Sequence, residues 1–200
     1  MERNFKDAMM HRRSYYNISD ESTISDSKIY EIIESAVKHV PSAFNSQTTR
    51  TVLLLGDNHT KLWDIVKNIL KERNSADSYA VTEEKINKSF ASGYGTILFF
   101  ENMDIVYNLQ SRFPLYSENF PLWSQQTSGM HQFAIWTMLE DEGMGASLQH
   151  YNPLIDEEVA KAWNINPKWK LISQMPFGKP LIEPFEKEFA PLDERILVFK

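Results

Sequence analysis

Two adjacent guanidinium groups, Arg12 and Arg13, follow His11 and precede Ser14, Tyr15 and Tyr16. A guanidinium fork binds a phosphate through parallel hydrogen bonds, and the hydroxyls of Ser14 and Tyr16 can bond a polar ring edge. The same residues also fit an ordinary solvated basic turn. A second polar group lies in Pro41-Ser42-Ala43-Phe44-Asn45-Ser46-Gln47, where Ser42, Asn45 and Gln47 offer short or planar hydrogen-bonding groups beside an aromatic ring. A polyol chain and the edge of a heterocycle want such partners, and so does a plain surface turn. In the third group, Gly143-Met144-Gly145 leads to Gln149-His150-Tyr151. Glycine there allows close backbone approach, and free N–H groups can meet a ligand. His150 reads as a backbone contributor before a general acid, with a hydrogen-bonded core histidine as the plain alternative. Finally, Lys187 and Arg195 stand in an acidic C-terminal stretch, where they either return to a phosphate site or only keep the tail soluble.

These groups need a scaffold, and the 200 residues suffice for one sizeable core, read as a single domain over 1–200. Asp7–Met10 closes a short helix. Ser25 or Asp26 caps a helix with Ile29, Ile32, Ile33, Ala36, Val37 and Val40 at helical spacing, ended by Pro41. Thr51–Leu55 is a strand, and Leu62, Ile65, Val66, Ile69 and Leu70 mark the next helix. Thr82-Glu83-Glu84 reads as an N-cap with acids in the first turn. Gly95–Phe100 is a strand buried on both faces, and a helix is expected around Met103–Phe113. Pro114 and Pro121 bracket a loop with Leu115, Tyr116 and Phe120. Trp123–Glu142 is the longest helix, with a broad apolar surface that includes Met130, Phe133 and Trp136. Asp156–Trp163 is a short helix and Trp169–Met175 a strand. Ile196–Phe199 is a β-prone end that needs a sheet, its own or a partner's. Three helices separated by strands describe a layered α+β or α/β domain. Neither Gly93-Tyr94-Gly95 nor Gly143-Met144-Gly145 has the strand-turn-helix context of a dinucleotide fingerprint or P-loop.

Composition excludes several classes. Cysteine is absent, so there is no disulfide, thiolate nucleophile or cysteine-held cluster. The 5 His are scattered without a ligand-spaced pair, so no metal site is expected. A net charge of −6 without a basic stripe argues against nucleic acid. No apolar run reaches membrane-spanning length, and a cytoplasmic location is expected.

The order and spacing of Arg12-Arg13-Ser14, the Pro41–Gln47 loop, Gly143-Met144-Gly145 and Lys187 resemble the FMN-dependent nitroreductase family. Leu148-Gln149-His150-Tyr151-Asn152-Pro153 and Lys187–Arg195 resemble its small subgroup of fatty-acid-repression-mutant-like and copper-induced nitroreductases. The resemblance implies a three-layer α+β fold whose mixed, mainly antiparallel sheet is flanked by helices, with a C-terminal strand available for exchange in a dimer. It implies a homodimer with FMN at the subunit interface, reduced by NADH or NADPH in a ping-pong cycle and reoxidised by nitroaromatic or quinone-like acceptors. Arg12 and Lys187 would hold the FMN phosphate, and Arg13, Ser14 and Tyr16 would follow the ribityl and pyrimidine side. Ser42, Asn45 and Gln47 would come from the other subunit, and the Gln149-His150-Tyr151 backbone would lie near flavin N5. The family's late Lys-x-Arg pair reads Lys187-Glu188-Phe189 here, which leaves Arg50 or Arg195 as substitutes for the missing arginine. Phe44, Phe113, Tyr116, Phe120 and Trp123 are candidates for the acceptor cavity. A flavin-binding regulatory protein and a cofactor-free dimeric module are the alternatives.

Overall fold

The computed structural model describes residues 3–200. Its five strands are β1 (Ile18–Ser19), β2 (Thr49–Leu55), β3 (Gly95–Asn102), β4 (Gly145–Ala146) and β5 (Trp169–Pro180). The helices among the described residues are α1 (Phe5–His11), α2 (Asp26–His39), α3 (Asp57–Arg73), α4 (Ala76–Ser89), α5 (Met103–Arg112), α6 (Asn119–Asp141) and α7 (Asp156–Trp163). The sheet runs β1-β5-β3-β2, and β4 adds to β5. Every named strand pairing is antiparallel, and a parallel bridge between Ser14 and Ala146 makes the sheet mixed.

β3 is the spine of this arrangement. Its side chains from Gly95 to Glu101 are all buried, because alternate residues enter two different cores. Ile97 and Phe99 pack with Ile29, Ile32 and Ile33 of α2, Ile135 and Leu139 of α6, and Met175 and Phe177 of β5. Leu98 and Phe100 face the other way, onto Leu62, Trp63 and Val66 of α3, Ile86 of α4 and Val159 of α7. The molecule is therefore three layers, helices on both faces of one sheet, as the resemblance implied.

Helix α2 is capped as expected: the Ser25 side chain accepts the Lys28 N–H. The supposed cap at Thr82 is not one. Helix α4 begins earlier, where Ser75 accepts the Ser78 N–H, and Thr82 sits mid-helix with its hydroxyl on the Ser78 carbonyl at 3.0 Å. Hydroxyls back-bond to the preceding turn in this way without ending a helix. Pro121 also lies inside α6 rather than in a loop. It occupies the first turn, where a missing N–H costs no intrahelical bond. Each of these seven helices was expected from the sequence, with α4 and α6 beginning earlier than read. β5 runs on to Pro180, past the expected end at Met175.

The buried face of α6 is more polar than its sequence implied. Ser124, Thr127, Ser128, His131 and Gln132 are buried, whereas Met130 is exposed. Ile196–Phe199 forms no strand within this chain; residues 181–200 run along the surface without regular structure and leave Phe185, Phe189 and Phe199 bare.

A buried relay ties α3 to β3. Trp63 donates its Nε1–H to Thr96 Oγ1 at 3.1 Å, Thr96 lies 2.9 Å from His59 Nδ1, and His59 Nε2 meets the Ala91 carbonyl at 3.2 Å. The carbonyl accepts only from an Nε2–H, so the relay fits a neutral imidazole, and burial lowers the His59 pKa. The unfolded chain then takes up this proton near pH 6.5 and the folded chain only at lower pH. Stability is accordingly lost as pH falls below about 6.5, by up to about 1.4 kcal/mol per pH unit from this group. Denaturant unfolding at pH 7.5 and 5.5 should show a shallower pH dependence for His59→Gln than for the parent chain; equal slopes would rule the relay out as the source.

Candidate functional site

The short helix α1 is capped by Asn4, whose side chain accepts the Asp7 N–H at 3.1 Å. Arg12 ends it, giving its N–H to the Ala8 carbonyl at 3.0 Å and turning into extended backbone. The turn that follows is mounted on the last turns of α6. Glu140 is buried, with Oε2 accepting the Arg13 N–H at 2.5 Å and Oε1 lying 2.9 Å from His11 Nδ1. Burial raises the Glu140 pKa, opposed by the Arg13 N–H, His11 and Arg12. One helical turn earlier, the Trp136 ring carries the Arg12 guanidinium at 4.1 Å. Arg12 Nε and Nη1 are buried and have no hydrogen-bond partner within the chain.

Ala146 closes the mount. Its carbonyl accepts both the Tyr15 N–H at 3.0 Å and the Trp136 Nε1–H at 3.1 Å. This requires β4 to press against Tyr15, and a Cβ on Gly145 would lie 2.9 Å from Tyr15 side-chain atoms. Gly143, at φ +82°, makes the turn out of α6 that a side chain would strain. Met144 belongs to the core.

Arg12 forms one wall of a cavity of about 600 Å³ lined by residues 12–17 and 182–187, a volume suited to a small molecule. Arg13, Ser14, Tyr16 and Lys187 all line it, so the structure brings these expected residues together with Arg12. The Arg13 guanidinium donates to the Phe185 carbonyl and clips the tail in place. The Tyr15 hydroxyl donates to Glu183 at 3.3 Å. Burial, then Glu140 and Glu183, push its pKa up to about 12, so it stays a neutral donor. Arg195 is not part of this wall. Its N–H and that of Ile196 both turn onto the Leu192 carbonyl, and the turn leaves Arg195 exposed outside the cavity. Arg50 braces its own loop instead, donating to the Gln47 and Thr49 carbonyls at 2.8 and 2.9 Å.

The Gln149-His150-Tyr151 segment is pinned at both ends by Gln174. The Gln149 N–H meets the Gln174 carbonyl at 2.7 Å, and the Tyr151 N–H meets Gln174 Oε1 at 2.8 Å. His150, between them, is exposed, which overturns the core-histidine alternative. Its N–H makes no hydrogen bond among the described residues. The Tyr151 side chain turns inward. Its ring packs 5.9 Å from Trp63 and 6.3 Å from Phe90, and burial raises its phenol to about 12.

Ser42, Asn45 and Gln47 line no part of the Arg12 cavity in this chain. Ser42 Oγ accepts the Gln47 N–H at 3.0 Å, closing a tight loop in which Phe44, Asn45 and Gln47 all take positive φ. Non-glycine residues seldom adopt that conformation. Here it turns Phe44 onto Phe113, Phe120, Tyr116 and Trp123, with ring centroids 4.9–6.2 Å away. All five candidate aromatics thus meet, and Phe44 remains half exposed.

Sequence reasoning missed Glu140, Gln174 and the service of Trp136. Glu140 stands four residues after Trp136, a carboxylate on the packed side of a helix. Gln174 is a fully buried amide inside a strand. Each is a polar residue in a buried stretch and so demands partners, which is the signal that was there to read.

The nitroreductase family model matches residues 9–179. Nitroreductase FRM2 of Saccharomyces cerevisiae is 32% identical over 188 residues, covering 93% of each chain. Nitroreductase CinD from Lactococcus lactis, solved with nicotinic acid and again with 4-nitrophenol, is 43% identical. In the first of these the TM-score is 0.91, with 98% of this chain and 100% of that chain covered. A more distant structure from Desulfovibrio desulfuricans, a complex with FMN, shares the fold at 19% identity and a TM-score of 0.70, covering 100% of this chain and 99% of that one. With its sheet, its Arg12 mount and these matches taken together, the chain belongs to the nitroreductase family.

Proposed function

We propose that the chain works as one FMN-binding domain that passes reducing equivalents from NADH or NADPH to nitroaromatic or quinone-like acceptors. The observation that carries this reading is Arg12: two buried guanidinium nitrogens without acceptors, on the wall of a cavity of about 600 Å³. A buried donor left unpaired costs about 1–3 kcal/mol, and a phosphate oxygen would remove that cost. Lys187 adds positive charge at the same cavity, and Arg13, Ser14 and Tyr16 supply donors along it. The residues present therefore fit the phosphate-bearing end of FMN. The CinD complexes with nicotinic acid and 4-nitrophenol support a nicotinamide donor and an aromatic acceptor for this chain.

Bound FMN supplies the hydride transfer; the protein's part is placement and electrostatics. Arg12 and Lys187 neutralise the phosphate. The free His150 N–H is available to the edge of the ring system, where a fixed donor stabilises developing negative charge. Phe44 and Trp123, stacked with an interplanar angle of 22°, offer a flat apolar surface for planar donors and acceptors. No thiol or catalytic triad is needed.

The polar loop with Ser42, Asn45 and Gln47 lies away from the Arg12 cavity of its own chain, which supports the homodimeric reading with FMN between subunits. The bare apolar tail from Phe185 to Phe199 supports it too, since such a surface calls for a cover. No helix among the described residues is long and apolar enough to cross a membrane.

Arg12→Ala should weaken FMN binding by on the order of 100-fold, the worth of a charged hydrogen-bonded contact. Fluorescence titration measures this, and unchanged affinity would remove Arg12 from the phosphate site. In anaerobic steady-state assays with NADH or NADPH and 4-nitrophenol or a quinone, use of one flavin face by both substrates gives parallel double-reciprocal lines. Intersecting lines would contradict the shared face, and absence of turnover with every pair would contradict the enzyme.

A further inference from the structure

Glu140 lies behind the wall of the Arg12 cavity rather than in it. It lines a separate cleft of about 350 Å³ together with His11 and Tyr15. A buried carboxylate beside an arginine would ordinarily form an ion pair with it. This one does not: its oxygens go to the Arg13 N–H and to His11, and Arg12 keeps Nε and Nη1 without partners. Trp136 restrains the guanidinium through its ring face, a contact that consumes no N–H. Carboxylate and indole sit one turn apart on α6 and so act on the same short segment from the same side.

We infer that Glu140 is a positioning residue for phosphate recognition, fixing the His11–Arg13 turn so that Trp136 can present the Arg12 guanidinium with its donors free. The inference rests on the FMN-binding reading and goes beyond it by assigning a role to a residue that lines no part of the Arg12 cavity. Glu140 fixes the backbone next to Arg12 while leaving its charge unquenched. The two ends of the mount are coupled, because the Trp136 ring is itself held by the Ala146 carbonyl that also holds Tyr15.

A purely structural Glu140 would loosen α1 and weaken any flavin equally, whereas a positioning residue acts on the phosphate alone. The test is titration of the full chain with FMN and with riboflavin, which lacks the phosphate. Glu140→Gln should weaken FMN on the order of tenfold and change riboflavin by less than about twofold. In an Arg12→Ala background, where the guanidinium is gone, Glu140→Gln should change FMN affinity by less than about twofold. Trp136→Leu leaves the carboxylate in place, and it should produce the same FMN-selective loss if Glu140→Gln does not fold. Equal losses for both flavins, unchanged FMN affinity, or losses that multiply in the double variant would each overturn the role. A parent chain that binds neither flavin would instead overturn the FMN reading, and the role of Glu140 with it.

Discussion

The site depends on one carboxylate that is buried but not spent on the neighbouring Arg12 guanidinium. Glu140 takes the Arg13 N–H and His11, and the Arg12 guanidinium is carried on an indole face. Were Glu140 to pair with Arg12, the guanidinium would be satisfied internally and its affinity for an anion would fall. The division of labour, hydrogen bonds to the backbone and a ring to the cation, keeps a charged donor pair in low dielectric. There a phosphate contact is worth more than it would be in water.

That mount is only as firm as the layers beneath it. Trp136 and Glu140 belong to α6, whose Ile135 and Leu139 are sunk into the core shared with α2 and β3. The Gly143–Ala146 turn returns the chain to β5 and sends the Ala146 carbonyl to Tyr15 and Trp136 together. Further along, Gln174 of β5 fixes both neighbours of His150. The two features that would meet opposite ends of a flavin, Arg12 and the His150 N–H, are thus tied to one strand. Rigid elements hold a site more accurately than loops do, and here the loop residues are tied at every step to helix or strand.

Much of this was legible in the sequence. The both-faces burial of Gly95–Phe100 follows from an apolar run with no alternation, and the Ser25 cap and Asp156–Trp163 helix follow from local chemistry. The arginine pair, the Ser42–Gln47 loop and the aromatic set were visible as residue types, and the structure gathers Phe44 and its four ring neighbours into one cluster. Thr82 misled because a hydroxyl followed by acids looks alike at a cap and in mid-helix. Ile196–Phe199 looked like a strand because β-propensity is a statement about packing, and in one chain that segment has nothing to pack on. The roles of Glu140 and Gln174 depend on long-range contacts, 127 residues from Glu140 to Arg13 and 23 from Gln174 to Tyr151, which no local pattern encodes. Arg195 fell outside the cavity through the turn at Leu192, a feature of backbone course rather than charge.

The central claim is that Arg12 and its mount form a phosphate-anchored flavin site. The most direct measurement is the visible absorbance spectrum of the protein after incubation with FMN and thorough desalting. The account predicts a retained flavin spectrum at about one FMN per chain, assuming each Arg12 site binds one phosphate. A colourless protein, its chain folded by circular dichroism, would contradict it.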